Sequence, residues 1–139
     1  MTAQDSVYAK RIIKAPIERV FRAWTDPEEL KQWHAPQPND ILAAVSDNRV
    51  GGNRSLTLTI EGKTYQMAGT YIEFDPPHRL VYGWTDAAAP NDSITTVLFK
   101  AVDDNATEVQ VTYTNPVHGP LQVGLRMILD HLEHLVAPK

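Results

Sequence analysis

Two residues of the sequence are candidates for proton chemistry, Glu73 on a predicted strand and His131 on a predicted helix. Glu73 shares its alternation with Tyr65 and Tyr71, so the pattern predicts a carboxylate on the same sheet face as those rings. In apolar surroundings its pKa would be raised, and it would serve as a general acid or base. The alternative places Glu73 on the outer sheet surface, because a bulge at Gly69 would shift the alternation.

His131 and His134 lie three residues apart in "DHLEH" on the predicted C-terminal helix. Two histidines on one helix face can share a metal ion, but this is not the H-E-x-x-H spacing and no third ligand is evident. Imidazoles near a helix C-terminus also complement the helix dipole, and this interpretation is favoured. We therefore predict no metal site and keep His131 as a candidate for the interior.

The residues that several other kinds of chemistry require are absent from this sequence. There is no cysteine, which excludes disulfides, thiol nucleophiles and cysteine-ligated metals. No serine lies in a G-x-S-x-G motif. Gly51-Gly52 joins two predicted strands, so it indicates a turn or a bulge and not a phosphate cradle at a helix N-terminus. The sequence predicts no assembled catalytic set and no cofactor.

A larger group of side chains suits an apolar ligand pocket with a few polar groups. Its members are aromatic residues and methionines. Most lie at alternating positions of predicted strands, and the others are Trp33 in the second short helix and Met127 in the C-terminal helix. The alternative is that they are simply core, because cores use the same residue types. With Glu73 and His131, the predicted ligand-binding set contains Trp33, Tyr65, Met67, Tyr71, Tyr82, Trp84 and Met127.

Length and charge limit the class of protein. The 139 residues suggest one domain, predicted over residues 1–139. Thirteen basic and seventeen acidic residues give a net charge of −4, which disfavours a nucleic-acid partner. No stretch approaches the roughly 20 apolar residues that cross a bilayer, and the first residues lack the apolar run of a secretory signal. We expect a cytoplasmic protein without a membrane partner.

The elements that must position these residues follow from the apolar periodicity. Residues 7–13 suit a strand, and Ile17, Val20, Phe21 and Trp24 form one stripe of an amphipathic helix. Asp26-Pro27 ends that helix and begins a second short one, with Glu29 completing a predicted capping box.

From residue 40 to 113 the period is two, with alternating runs separated by turns, as in an antiparallel sheet of about six strands. A long helix is then predicted over roughly residues 120–136. The order predicts an α+β fold, in which a curved antiparallel sheet of about six to seven strands wraps a long C-terminal helix. Two short helices follow the first strand.

Four segments carry a family resemblance: "APIERVFRAWTDPEELKQW", "VGGNRSL", "MAGTYIEFDPPHRLVYGW" and "TTVLFK". Together they resemble the activator of heat-shock protein 90 ATPase homologue family, over residues 7 to about 136. This family belongs to the START-like helix-grip superfamily of polyketide cyclases and lipid-transfer proteins. The resemblance implies a helix-grip fold with a cavity between the sheet, the long helix and the short helices.

Three functions are compatible with these observations. We expect a binding module whose cavity takes a small hydrophobic or aromatic molecule, without chemistry of its own. The first alternative is a cyclase- or hydrolase-like enzyme that uses Glu73 or His131 with a tyrosine as proton donor. The second is the activation of a chaperone ATPase, as the resemblance implies, although the co-chaperones of the family carry an N-terminal domain that this sequence lacks.

Overall fold

The computed structural model describes residues 6–33, 41–60, 62–84, 94–114 and 125–136. The elements follow in the order β1 (Ser6–Ile13), α1 (Ile17–Thr25), α2 (Pro27–Trp33), β2 (Ile41–Ser46), β3 (Asn53–Ile60), β4 (Lys63–Asp75), β5 (Arg79–Trp84), β6 (Ile94–Asp103), β7 (Ala106–Thr114) and α3 (Leu125–Val136). Among these helices, none is long and apolar enough to cross a membrane.

All seven strands form one antiparallel sheet in the order β1-β7-β6-β5-β4-β3-β2. Strands β2 to β7 pair in chain order, and this confirms the predicted meander of six strands. The two edges belong to β1 and β2, and α1 and α2 are the connection between those strands. The predicted α+β fold with a curved antiparallel sheet and a C-terminal helix is confirmed.

The junction between α1 and α2 is built largely as the sequence predicts. Asp26 follows α1, and its side-chain oxygen accepts a hydrogen bond from the backbone N–H of Glu28 at 2.9 Å. Pro27 takes the first helical position, where its missing N–H costs nothing. The predicted capping box is wrong, because Glu29 pairs with the side chain of Arg22 at 3.1 Å instead. Its carboxylate therefore joins α2 to α1.

The core lies between the inner face of the sheet and the three helices. Phe21 of α1 packs edge-on against Phe99 of β6, with ring centroids 5.2 Å apart. Helix α3 contacts β1, α1 and α2, and an Arg11–Asp130 ion pair joins it to β1. The buried residues of α3 are Ile128, Leu129, Leu132 and Val136. These residues form the face of α3 that packs into the core.

A bulge interrupts strand β4 after Tyr71. Tyr71 pairs with Tyr82, whereas Glu73 pairs with Val81, so one extra residue stands between the two pairs. The extra residue reverses the alternation: Tyr71 is buried, and Glu73 is exposed. The alternation argument that placed Glu73 beside Tyr71 is therefore wrong.

Glu73 lies in an ion pair on the protein surface. Its two carboxylate oxygens accept hydrogen bonds from Arg79 at 3.1 and 3.2 Å, and half of its side chain is exposed. An exposed, paired carboxylate lacks the apolar surroundings that the acid–base hypothesis requires. The alternative given for this residue, an ordinary position on the outer sheet surface, is the observed one.

Candidate functional site

The guanidinium of Arg54 in β3 is the most unusual group in the interior. Arg54 has no exposed surface. Its Nη1 donates one hydrogen bond to the carbonyl of Trp24 and another to the hydroxyl of Tyr71, both at 2.9 Å. Within the described residues, Nε and Nη2 make no hydrogen bond. Three of the five N–H groups of this arginine, one on Nε and two on Nη2, therefore lack a described acceptor.

Aromatic rings surround the charge of Arg54. Its guanidinium carbon lies 4.4 Å from the ring centroid of Tyr82 and 5.9 Å from that of Tyr71. The negative faces of such rings attract a cation. No Asp or Glu within the described ranges forms a salt bridge with Arg54. We call Arg54, Tyr71 and Tyr82 the arginine cluster.

Neighbouring polar groups hold the two tyrosine hydroxyls in place. The hydroxyl of Tyr71 shares a hydrogen bond of 2.7 Å with that of Ser46 at the end of β2. The hydroxyl of Tyr82 accepts a hydrogen bond from Nε1 of Trp24 at 3.2 Å. The rings of the two tyrosines meet edge-on, with centroids 5.9 Å apart. The cluster therefore connects strands β2 to β5 with helix α1.

The protonation states in the cluster follow from burial and from mutual contact. Burial alone lowers the pKa of Arg54, but the neighbouring phenols of Tyr82 and Tyr71 raise it, and the net shift is upward. Burial raises the pKa of Tyr82, an effect that Arg54 partly offsets. Burial, assisted by Tyr82, likewise raises the pKa of Tyr113 in β7. At neutral pH Arg54 is therefore a cation beside the neutral phenol of Tyr82.

The turn between β2 and β3 places Arg54 next to Tyr71. The N–H of Gly51 donates to the carbonyl of Tyr71 at 2.9 Å, and the N–H of Tyr71 donates to the carbonyl of Gly52 at 3.0 Å. Gly51 has a φ of +80°, which favours glycine. A Cβ on Gly52 would lie 2.0 Å from the carbonyl oxygen of Asp47. The Gly-Gly pair is thus required by this turn.

Trp33 of the predicted ligand-binding set is buried, and its polar atom is satisfied within the protein. Its Nε1 donates to the carbonyl of Ala23 at 2.8 Å, and its ring meets that of Trp24 edge-on at 4.7 Å. We call Trp24 and Trp33 the tryptophan elbow. It packs as part of the core, which is the alternative given for these side chains.

The other predicted residues have different environments. Tyr71 and Tyr82 are buried together in the arginine cluster. His131 is partly buried, with Nδ1 3.3 Å from the carbonyl oxygen of Trp33. Met127 is 36% exposed, at the outer side of α3. The side chains outside the described part of the structure are those of Tyr65, Met67 and Trp84.

Arg54 was missed at the sequence level, although the alternation of β3 contained the signal. Arg54 has the same parity as Leu56, Leu58 and Ile60, the apolar positions of that strand. A residue of that parity points to the inner face of the sheet. Its partner in β4 is Gly69, which has no side chain to compete for the space. A charged residue in register with an apolar series indicates a buried charge.

No metal centre is found in the part of the chain that the structure describes, since no three His, Cys, Asp or Glu side chains converge there. An open surface depression lies beside the β6–β7 turn and shares no residue with the arginine cluster. It is lined by Lys14, Asp103, Asp104, Asn105 and Ala106.

Comparison with known proteins gives one family and several related structures. The sequence profile of the family described as Activator of Hsp90 ATPase homolog 1-like protein matches residues 14–137. No curated protein matches the sequence.

Three solved structures illustrate the structural similarity. A protein from Chromobacterium violaceum is 29% identical with a TM-score of 0.79, covering 96% of this chain and 98% of its own. An AHSA1-like protein from Aeromonas hydrophila is 25% identical with a TM-score of 0.77, covering 95% and 92%. An Hsp90 activator from Plasmodium falciparum is 24% identical with a TM-score of 0.70, covering 94% of each chain, and shows the shared fold alone.

Proposed function

The chain belongs to the family of Activator of Hsp90 ATPase homolog 1-like proteins, within the START-like superfamily, and from this premise we propose that it binds a small hydrophobic or aromatic molecule. The site lies in the interior between the sheet and the helices. The chain acts there as one binding domain and carries out no reaction.

The observation that supports this proposal is the convergence of polar groups at one place in an apolar interior. The guanidinium of Arg54 and the hydroxyls of Tyr71 and Tyr82 meet there. Small-molecule sites have this composition, with mostly apolar walls and a few polar groups that fix the orientation of the ligand. Buried polar groups of a structural kind find partners within the protein. The N–H groups of Arg54 that lack an acceptor among the described residues favour a ligand instead.

The residues of the predicted ligand-binding set have different roles in this proposal. Tyr71 and Tyr82 contact the ligand directly, because they already contact Arg54. Trp33 and His131 form the wall next to α3. Glu73 has no role, since it pairs with Arg79 on the surface. Met127 has no role, since it is exposed at the outer side of α3. The proposed lining is completed by Tyr65, Met67 and Trp84.

Thermal unfolding with a panel of apolar compounds tests the proposal. Indole, 1-octanol, 3-phenylpropionate and octanoate are suitable probes. A ligand that binds only the folded protein raises the Tm as its concentration exceeds the Kd. We expect at least one of the four compounds to raise the Tm in a saturable way, and native mass spectrometry to show one bound molecule per chain.

A surface variant controls for non-specific adsorption of these compounds. Ile72 is 48% exposed, so Ile72→Ser removes an apolar side chain from the surface without entering the proposed site. The Tm increase is expected to be the same in this variant and in the wild type. No increase with any of the four compounds, or an increase that Ile72→Ser removes, would contradict interior binding.

A second candidate function is the activation of an Hsp90-type ATPase, which the family description favours. The Plasmodium falciparum neighbour is an Hsp90 activator, although its likeness to this chain extends to the fold alone. The ATP turnover of an Hsp90 from the same organism, measured with and without the protein, distinguishes the two functions. A saturable stimulation supports this second candidate, whereas unchanged turnover together with ligand-induced stabilisation supports the first.

A further inference from the structure

We infer that the ligand is a hydrophobic or aromatic monocarboxylic acid, whose carboxylate binds the Nε–Nη2 edge of Arg54. This inference rests on the proposed function and specifies the chemical class of its ligand.

The hydrogen bonds of Arg54 leave one edge of the guanidinium for a ligand. Nη1 is used by the carbonyl of Trp24 and the hydroxyl of Tyr71. Nε and Nη2 lie side by side on the other edge of the planar group, and neither has an acceptor among the described residues. Two parallel N–H groups match the two oxygens of a carboxylate, which binds such an edge in a bidentate manner.

Charge balance favours an anion with a single charge. Arg54 is fully buried, and no described acidic side chain neutralises it. The phenols of Tyr82 and Tyr113 have raised pKa values because of burial, so they do not supply the anion at neutral pH. A buried charge is tolerated when it is paired and hydrogen-bonded. A monocarboxylate leaves the pair neutral, whereas a phosphate dianion would leave an uncompensated negative charge in the interior.

The surroundings of Arg54 define the rest of the ligand. The rings of Tyr71 and Tyr82 are buried beside the guanidinium, and Leu56 follows it on the same face of β3. A sugar or a peptide backbone would bring polar groups that these walls cannot satisfy. An aromatic or aliphatic body gains from burial against them. The Nε–Nη2 edge therefore selects the head of the ligand, and the rings select its body.

Calorimetric titration of matched acids and amides tests this assignment. The probes are 3-phenylpropionate and octanoate, each compared with its primary amide, and phenyl phosphate as the dianion. The amide has nearly the same shape as the acid but no charge. We expect the wild type to bind each acid about tenfold or more tightly than its amide, because hydrogen bonds to charged groups are the stronger ones. Phenyl phosphate is expected to bind more weakly than 3-phenylpropionate.

Variants of Arg54 test whether this residue causes the preference for the acid over its amide. In Arg54→Met the preference for the acid is expected to vanish, and Arg54→Lys is expected to retain part of it, because lysine keeps the charge but not the bidentate edge. Arg79→Met is the matched control, since it removes an exposed arginine that pairs with Glu73. This control should keep the full preference for the acid.

The outcomes separate this inference from the proposed function. Equal binding of acid and amide by the wild type would overturn the carboxylate assignment and leave apolar ligand binding intact. The same conclusion would follow if Arg54→Met kept the preference for the acid. Binding of none of the probes by the wild type would contradict both proposals. Because the acid–amide comparison uses the wild type, it decides the question even if Arg54→Met fails to fold.

Discussion

The tryptophan elbow and the arginine cluster are equally buried but differ in how their polar atoms are satisfied. In the elbow, Nε1 of Trp33 donates to the carbonyl of Ala23, and Nε1 of Trp24 donates to the hydroxyl of Tyr82. In the arginine cluster, Nε and Nη2 of Arg54 have no acceptor among the described residues. The two regions are in contact, since Nη1 of Arg54 donates to the carbonyl of Trp24.

This difference in hydrogen bonding separates the part of the interior that serves stability from the part that is proposed to bind a ligand. Rings whose polar atoms are paired contribute their full burial to the folded state. A buried cation without an anionic partner stabilises a fold poorly, and its replacement by an apolar side chain of similar volume is often neutral or favourable. We therefore assign stability chiefly to the elbow, although Trp33 also forms a wall of the proposed site, and we propose that the cluster recognises the ligand. The following predictions test that division.

The largest effect is expected from truncation of the elbow. Trp33→Ala removes a ring that is 1% exposed, together with its hydrogen bond to Ala23. Such truncations lower the free energy of unfolding by about 3–5 kcal/mol. Urea unfolding measures the loss, with Val102→Ala, a substitution at a 52% exposed position, as the control. A loss below about 1 kcal/mol for Trp33→Ala would remove the distinction between the two regions.

A smaller but still large effect is expected at the turn that positions Arg54. In Gly52→Ala the new Cβ would lie 2.0 Å from the carbonyl oxygen of Asp47, so the turn must move. Overpacking of this kind costs about 1–3 kcal/mol. Gly51→Ala is the matched control, because its Cβ meets nothing within 4 Å and only the φ of +80° is strained. Urea unfolding should rank Gly52→Ala as the more destabilised; the reverse order would contradict this account of the turn.

Alkaline pH is expected to destabilise the protein through two phenols, that of Tyr82, which is buried, and that of Tyr113, which is partly buried. Burial raises the pKa of Tyr82 and Tyr113, while phenols of the unfolded chain ionise near the ordinary value of about 10. Their contribution to stability is therefore complete below pH 10 and is lost as the pH rises above it. Tyr113→Phe should reduce this loss in urea unfolding between pH 9 and 11, whereas Tyr8→Phe, at a 55% exposed position, should not. Equal slopes in both variants would contradict the assignment.

The smallest effect is expected at Glu73. Its ion pair with Arg79 is about half exposed, and such pairs contribute about 0–1 kcal/mol. Glu73→Gln should therefore leave urea unfolding nearly unchanged and leave the affinity for 3-phenylpropionate as it is in the wild type. A tenfold or larger loss of that affinity would show that Glu73 contributes to ligand binding and would contradict its surface assignment.

The elements of the fold could be predicted because their periodicities are local. The stripe of Ile17, Val20, Phe21 and Trp24 specifies α1, and strict alternation specifies β3 and β7. The capping role of Asp26 follows from its place before Pro27. Each of these depends on neighbours within about two helical turns or one strand.

The site could be predicted only in part, because it depends on longer-range geometry. The bulge after Tyr71 has no distinctive residue type, since the extra residue is Ile72 and not Gly69. It alone separates Glu73 from the interior. The alternation of β3 contained the signal for the inward position of Arg54, although it was missed, whereas the lack of a salt bridge to Arg54 among the described residues is a property of the folded packing. The ligand and the cytoplasmic location stay predictions.

The most direct measurement is the NMR signal of the Arg54 Nε–H group, which a ¹H–¹⁵N correlation spectrum resolves and the spectrum of Arg54→Lys assigns. The account predicts that 3-phenylpropionate shifts this signal in a saturable way, because its carboxylate accepts a hydrogen bond from Nε. The matched amide should produce a much smaller shift. A signal that stays unchanged while calorimetry shows the acid bound to saturation would contradict the claim that Arg54 recognises the ligand.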